Sequence, residues 1–508
     1  MIRLMKLLTH RAFRVGISIL VQLAVLLIVL LRFDEYYRQF NQVCFVLSML
    51  IVIYIVGNRS NPSYKIAWII PIMLFPIFGW LLYLLFGGNR LSKRTRRKMQ
   101  SMNDVMRQEL KSSCRAESFS ELEGEDARVM ANYIERNALC PVYANTETEY
   151  FSLGENQYES ILQELKKAER YIFLEFFIIE PGKMWDSVLQ ILEEKAAAGV
   201  EVRVLYDDVG SMFTLPRNYA KVLKKKGIKC CAFNPFLPVL SVRMNNRDHR
   251  KILVIDGKVA YTGGTNLADE YINEKERFGH WKDTAILLRG EAVWSFTVMF
   301  LNMWNFVAGT KEEFETFRPV LASGSGTGFV QPYGDSPLDD EPVGETVYLN
   351  LINKAKQYVY LTTPYLIIDH TTVSALSSAA KAGIDVRIIT PHIPDKKVIF
   401  EVTRAHYLPL LEAGVKIYEY TPGFIHAKTF AVDDRFGTVG TVNMDYRSMF
   451  LHFEDGVMLY DTPTVLDIKK DFLTTQAVSQ QVTLEESRAI SLGKRVLRSL
   501  LRIFAPLM

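Results

Sequence analysis

The chain has 508 residues, with 60 Lys and Arg against 56 Asp and Glu, for a net charge of +4 at pH 7. That length holds two or three domains with ample core, and so slight a basic excess gives no compositional reason to expect nucleic acid. Its five cysteines (Cys44, Cys114, Cys140, Cys230 and Cys231) are odd in number and lack metal-ligand spacing, which argues against a disulfide scaffold and a zinc site.

Residues 1–90 read as a membrane region. Windows 15–31, 39–58 and 66–88 contain no Asp, Glu, Lys or Arg. A bilayer core needs roughly 20 apolar residues per helix, so two or three transmembrane segments are expected. The third window carries Pro71, Pro76 and Gly79 and is able to kink or re-enter. Basic clusters lie on both sides, at Arg3 to Arg14 and at Lys93 to Lys98. Basic flanks prefer the cytoplasm, so three full spans conflict with this charge pattern and the number of spans stays open. The catalytic part is placed on the cytoplasmic side of the cell membrane.

Residues 91–144 are basic and polar and read as a juxtamembrane connector. From 145 to 321, helix-like and strand-like stretches alternate: ESILQELKKAER before YIFLEFFIIE, then WDSVLQILEEKAAAG before VEVRVLYDD. Such alternation predicts an α/β unit with a mixed, mostly parallel sheet flanked by helices. Residues 322–345 are rich in Gly, Pro and acids and read as a linker. The order returns in 346–485, where AAKAGIDVRIITP echoes AAAGVEVRVLYDD. The soluble part is thus two copies of one unit. In 486–508, Lys494, Arg495, Arg498 and Arg502 oppose Val496, Leu497, Leu500, Leu501 and Phe504 at helical spacing. That pattern suits a helix lying on anionic lipid, or one packed on the protein's own surface.

One stretch occurs twice. HRKILVIDGKVAYTGGTN spans 249–266 and HAKTFAVDDRFGTVGTVN spans 426–443. His249, Lys251, Asp256, Gly263 and Asn266 each precede a matching residue (His426, Lys428, Asp433, Gly440, Asn443) by 177 positions. Side chains two apart on a strand share a face, so each His and Lys should project together. Each Asp falls seven after its His, at a strand end, and Asp256-Gly257 resembles a hairpin turn. This spacing makes the Asp a structural residue more than an acid. Of two coupled imidazoles, one can be neutral while the other is protonated. The neutral ring suits attack on phosphorus, and the protonated ring suits delivery of a proton to the departing alkoxide. Lys251, Lys428, Asn266 and Asn443 would supply donors for phosphoryl oxygens. No carboxylate-rich cluster suggests a metal, and no cofactor is expected.

These paired motifs resemble the HKD motifs of the phospholipase D superfamily. More narrowly, the chain is similar to bacterial cardiolipin synthases, with SNPSYKIAWIIPIMLFPIFGWLLYLLFGGNR (60–90) like their membrane module. YDDVGS (206–211), TTPY (362–365) and NMDYRS (443–448) are similar to segments near that family's cleft. The resemblance implies a pseudo-twofold site in which His249, Lys251, Asp256, His426, Lys428 and Asp433 are catalytic. It also implies a phosphohistidine intermediate. Gly264 and Thr441 stand where many members have Ser. His249 is taken as nucleophile and His426 as acid, with Asp283 and Glu454 as candidate orienting carboxylates. The implied reaction joins two phosphatidylglycerol molecules into cardiolipin and glycerol. The alternatives are a membrane-bound phospholipase D or other headgroup transphosphatidylase, and a nuclease of the same motif class. Phosphatidylglycerol and cardiolipin are the expected partners, with no nucleic acid.

Overall fold

Short apolar runs bounded by turn residues make the central strands. Tyr171–Phe176 and Glu201–Asp207 pair in parallel, almost wholly buried, and the amphipathic helix Lys183–Ala197 makes the crossover between them. The computed structural model describes residues 37–87, 93–111, 124–236, 245–320, 326–339 and 341–507, with isolated positions between 20 and 28. The window 15–31 therefore lies largely outside the described residues.

The first sheet runs Thr146–Phe151, Ala285–Gly290, Val259–Gly263, Lys251–Ile255, Tyr171–Phe176, Glu201–Asp207, Lys229–Phe233. The second runs Phe329–Asp335, His452–Tyr460, Phe436–Gly440, Thr429–Val432, Tyr358–Thr362, Asp385–Pro391, Lys416–Tyr420, and adds Ser479–Val482 at its edge. Equivalent segments occupy equivalent places with the same directions, which is the duplication expected from the sequence. The sheets are mixed, but "mostly parallel" is corrected. Along each of these orders only the three strands around Glu201–Asp207 or Asp385–Pro391 pair in parallel and the other neighbours are antiparallel; the short strand Arg247–Asp248 adds one more parallel pairing, to His452–Tyr460. The three-residue turns inside the repeated motif (256–258 and 433–435) account for one antiparallel pairing in each sheet, because so short a connection joins only antiparallel strands.

The proposed linker 322–345 also needs correcting, since Phe329–Asp335 is the edge strand of the second sheet. Its Pro332 misled the sequence reading, but proline is tolerated on an edge. Likewise the connector 91–144 is built into the fold. Helix Lys93–Lys111 buries Met99, Met106 and Leu110, and Glu125–Asn137 buries Met130 and Ile134. Helix Val293–Ala308, buried almost throughout, lies in an apolar cluster that joins both sheets through Phe173, Ile286, Phe300, Val439 and Val457.

The membrane window 66–88 is broken. Helix Pro62–Leu74 ends at Phe75, and Pro76–Phe86 folds back against it. Gly79 permits the close approach: a Cβ there would lie 2.4 Å from the Ile72 backbone. At 1.5 Å per residue these helices reach about 17–20 Å, short of a bilayer core of about 30 Å. All but the last residue of the window 39–58 lies in helix Tyr37–Gly57. Among the described residues no helix is long and apolar enough to cross a membrane.

Candidate active site

Each motif histidine sits between a short strand paired to the other half and a long strand of its own sheet. Arg247–Asp248 runs parallel to His452 and Phe453, and Gly423–Ile425 runs parallel to His280–Lys282. The His249 N–H donates to the Phe453 carbonyl at 2.9 Å, and the His426 N–H to the Lys282 carbonyl at 2.7 Å. The halves therefore hold one another at the histidines themselves.

The side chains repeat the exchange. His249 Nδ1 lies 2.9 and 3.0 Å from the two carboxylate oxygens of Glu454, and His426 Nδ1 lies 2.7 Å from Asp283 Oδ2. Both acids are wholly buried, and each orients the imidazole of the opposite half. With Nδ1 engaged, Nε2 is the nitrogen left for chemistry. Burial, then Lys251, Lys428 and His426, pushes His249 well below its ordinary value. Burial and Lys428 push His426 down to about 4, with Asp283 pulling the other way. Burial alone would raise Asp283, but His426 and Lys428 outweigh it and hold the carboxyl below its usual range. The crossed pairing of His249 with Glu454 and of His426 with Asp283 brings both motifs to one seam between the halves.

Each motif lysine folds back on its own histidine. Lys251 Nζ donates to the His249 carbonyl at 2.7 Å. Lys428 Nζ lies 2.9 Å from His426 Nδ1 and also donates to the His426 carbonyl. Burial pulls Lys251 down to about 8 and Lys428 to about 7, against the attraction of Glu454 and Asp283.

The motif aspartates are elsewhere. Asp256 accepts the backbone N–H groups of Glu169, Arg170 and Tyr171, each at 2.8 Å. Asp433 does the same for Lys356, Gln357 and Tyr358 at 2.6–2.8 Å. Each lies a five-residue step beyond its lysine, about 16 Å along a strand, in a left-handed turn. The catalytic role implied by the family resemblance is thus corrected to an anchoring one, as the spacing indicated. Asn266 is corrected in part. Its Oδ1 accepts the Ile178 N–H and its Nδ2 donates to the Tyr271 hydroxyl, so its amide braces the pocket wall. Asn443 keeps a buried Oδ1 without a hydrogen-bond partner.

Position 264 separates the halves. A Cβ on Gly264 would lie 1.9 Å from Asp283 Oδ1, so glycine makes room for the carboxylate. Its counterpart Thr441 instead donates from Oγ1 to Glu454 Oε2 at 2.5 Å. The sequence reading missed His452, whose ring lies 5.6 Å from that of His249 and whose Nε2 accepts from Arg447 Nε at 3.3 Å. Its place two residues before Glu454, on the same strand face, was the available signal. It also missed the aromatic walls: Phe177 beside His249, and Tyr271, Trp281 and Phe424 around His426. Among the described residues, His249, His452 and Glu454 bring ligand atoms within 4.8 Å of one another. Glu454, however, is already taken by His249 and Thr441.

A family model described as cardiolipin synthase, PLD-like domain, matches residues 161–304 and 348–475, and a phospholipase D-nuclease N-terminal model matches 46–88. The chain belongs to the cardiolipin synthase family of the phospholipase D superfamily. It is 35% identical to a cardiolipin synthase of Alkalihalophilus pseudofirmus over 92% of this chain and 93% of that one. It is 36% identical to one from Geobacillus sp. over 91% and 92%. In three dimensions it is similar to a phosphatidylserine synthase of Haemophilus influenzae, with a TM-score of 0.56 at 14% identity, covering 74% of this chain and 97% of that one. The last likeness bears on the fold alone. Both HKD motifs lie inside the matched family segments, and the broken apolar hairpin lies inside the N-terminal match.

Proposed function

We propose that the protein is a cardiolipin synthase that passes a phosphatidyl group between two phosphatidylglycerol molecules through a phosphohistidine. The observation that carries this reading is the reciprocal bracing of two buried imidazoles by carboxylates of opposite halves. His249 Nε2 bonds to phosphorus as the bond to the glycerol oxygen breaks, and the His426 imidazolium protonates that oxygen. Neutral His426 then takes the proton from the terminal hydroxyl of a second phosphatidylglycerol, whose oxygen displaces His249. One phosphodiester replaces another, so the exchange needs no nucleotide and runs in both directions.

His249 is taken as nucleophile because burial and the cations Lys251 and Lys428 favour its neutral ring, and His426 as acid because the Asp283 carboxylate 2.7 Å from its Nδ1 supports a protonated ring. Glu454 then faces the charge that develops on a phosphorylated His249. Lys251 and Lys428 are assigned to the nonbridging oxygens, with the Asn443 amide as a further candidate donor. The aromatic walls favour a lipid alcohol over water. The catalytic units lie on the cytoplasmic side of the cell membrane, a reading supported by the basic run from Lys93 to Lys98 that follows the hairpin.

Purified protein in phosphatidylglycerol vesicles should yield cardiolipin and glycerol in equal amounts. Phosphatidic acid without cardiolipin would make it a hydrolase instead. Rapid denaturation during turnover, followed by digestion, should find the phosphatidyl group on His249, and an adduct on His426 would reverse the assignment.

A further inference from the structure

The C-terminal helix Leu492–Phe504 is seated the opposite way from a typical surface helix. Its inward stripe carries the cationic pair of half-exposed Lys494 and buried Arg498, which bridge to Glu401 at 3.2 and 2.8 Å. Arg498 is only 8% exposed. The face turned outward is apolar: Leu492, Val496, Leu497 and Leu500 are 49–75% exposed. Arg495 and Arg502 flank this band, both exposed, and residues 491–508 contain no acid. A soluble surface has no use for four adjacent large aliphatic side chains on one helix.

Its surroundings point to the occupant. The helix packs on Lys397–Ala405 and on Pro62–Leu74, and the turn after it places Leu507 against Ile55, Trp68, Ile72 and Tyr83 of the N-terminal helices. Those helices turn over at Met73, Leu74 and Phe75, which are 44–67% exposed, and residues 66–86 carry no charge. The apolar band therefore lies on a helix in direct contact with the element that carries a second exposed apolar surface. On its inner side, Leu501 packs with Ile399, Val402 and Tyr365. Tyr365 also belongs to the aromatic cluster of Trp281 and Phe424 that walls His426.

We propose that the outward face of Leu492–Phe504 is a second membrane seat, lying in the headgroup boundary of an anionic bilayer beside the hairpin 62–86. Its apolar band enters the acyl region while Arg495 and Arg502 reach the phosphates. The seat sets the His426 wall at the bilayer surface, so a lipid can present its headgroup to the site while its chains stay in the membrane. That last consequence rests on the phospholipid reading above, whereas the seat itself does not.

Two measurements on the full-length protein test it. A spin label on Leu497→Cys or Leu500→Cys, compared with the unsubstituted chain labelled in parallel, is read in phosphatidylglycerol vesicles. Accessibility to oxygen with exclusion of a water-soluble nickel complex is expected. A label in water, or one shielded identically in dilute detergent (the mark of a protein partner), overturns the seat. Next, Leu497→Glu with Leu500→Glu, both exposed and so neutral for folding, should lower cardiolipin formation from vesicles at least about tenfold. Turnover of dispersed short-chain phosphatidylglycerol should be unchanged. Equal vesicle activity overturns the proposal, as does equal loss on both substrates. If the unsubstituted protein makes no cardiolipin, phospholipid exchange falls as the function, and the label still decides the seat.

Discussion

His249 and His426 are equivalent in sequence and topology, yet they sit in different company. His249 lies beside a second imidazole, His452, with Arg250 held by Glu175 and Asp248 at its back. His426 is walled by Tyr271, Trp281 and Phe424, with Lys428 beside its Nδ1. The bracing acids differ too: a glutamate supported by a threonine on one side, an aspartate fitted into the space of a glycine on the other. Duplication supplied two copies of the same groups, and the surroundings have since divided the labour between them. A symmetric pair would have to choose its nucleophile at random. This pair has two unlike pockets, and the following experiments separate them.

The largest effects should come from the exchanged carboxylates. Glu454→Gln and Asp283→Asn should each lower kcat by about 10²–10⁴-fold, the range seen when a buried acid no longer holds a catalytic imidazole in its working tautomer. Steady-state kinetics on phosphatidylglycerol vesicles measure this. Near-normal kcat in either variant removes that acid from the site.

Next comes the contrast at position 264. Gly264→Ala drives a methyl into Asp283 and should cost about 10²-fold in turnover through misplaced His426. Thr441→Ala removes one hydrogen bond from Glu454 and should cost about tenfold or less. Equal losses would mean that the two pockets are interchangeable.

A smaller effect appears in the pH profile. Lys428, lowered to about 7, and Lys251, lowered to about 8, lose charge as pH rises through those values. Positive charge toward phosphate is thus full below pH 7 and fades above it, giving kcat/KM of the free enzyme an alkaline limb. Lys428→Arg stays charged throughout and should move that limb toward the value of Lys251, while an unmoved limb would assign it to another group.

The smallest effect on turnover belongs to the motif aspartates. Asp256→Asn and Asp433→Asn each disturb three hydrogen bonds from backbone N–H groups, half-buried to buried at Asp256 and mostly exposed at Asp433, and should cost about 1–3 kcal/mol of stability, less at Asp433. The folded fraction should keep its turnover nearly unchanged, as denaturant titration run beside the assay will show. Loss of kcat without loss of stability would return these residues to the chemistry.

Much of this was legible in the chain. The fixed spacing between the motifs carried the two-unit fold, because a duplicated strand-turn-strand keeps its register. The odd offset from His249 to Asp256 placed that carboxylate at a strand end. Asp283 and Glu454 were visible as candidates, but their cross-pairing was not. It depends on Arg247–Asp248 and Gly423–Ile425 joining the opposite half, contacts more than 140 residues apart that no local pattern encodes. Phe329–Asp335 was hidden because an edge strand bears Pro332 without penalty. The broken hairpin at Phe75 was hidden in part because hydropathy measures apolar length and not direction.

The most direct test is a structure of the protein with vanadate, whose trigonal-bipyramidal form mimics phosphorus in transfer. The expected result is one vanadium bonded to His249 Nε2, with His426 Nε2 facing the opposite apex. Vanadate held by one ring while the other opens into a separate cavity would contradict a shared site.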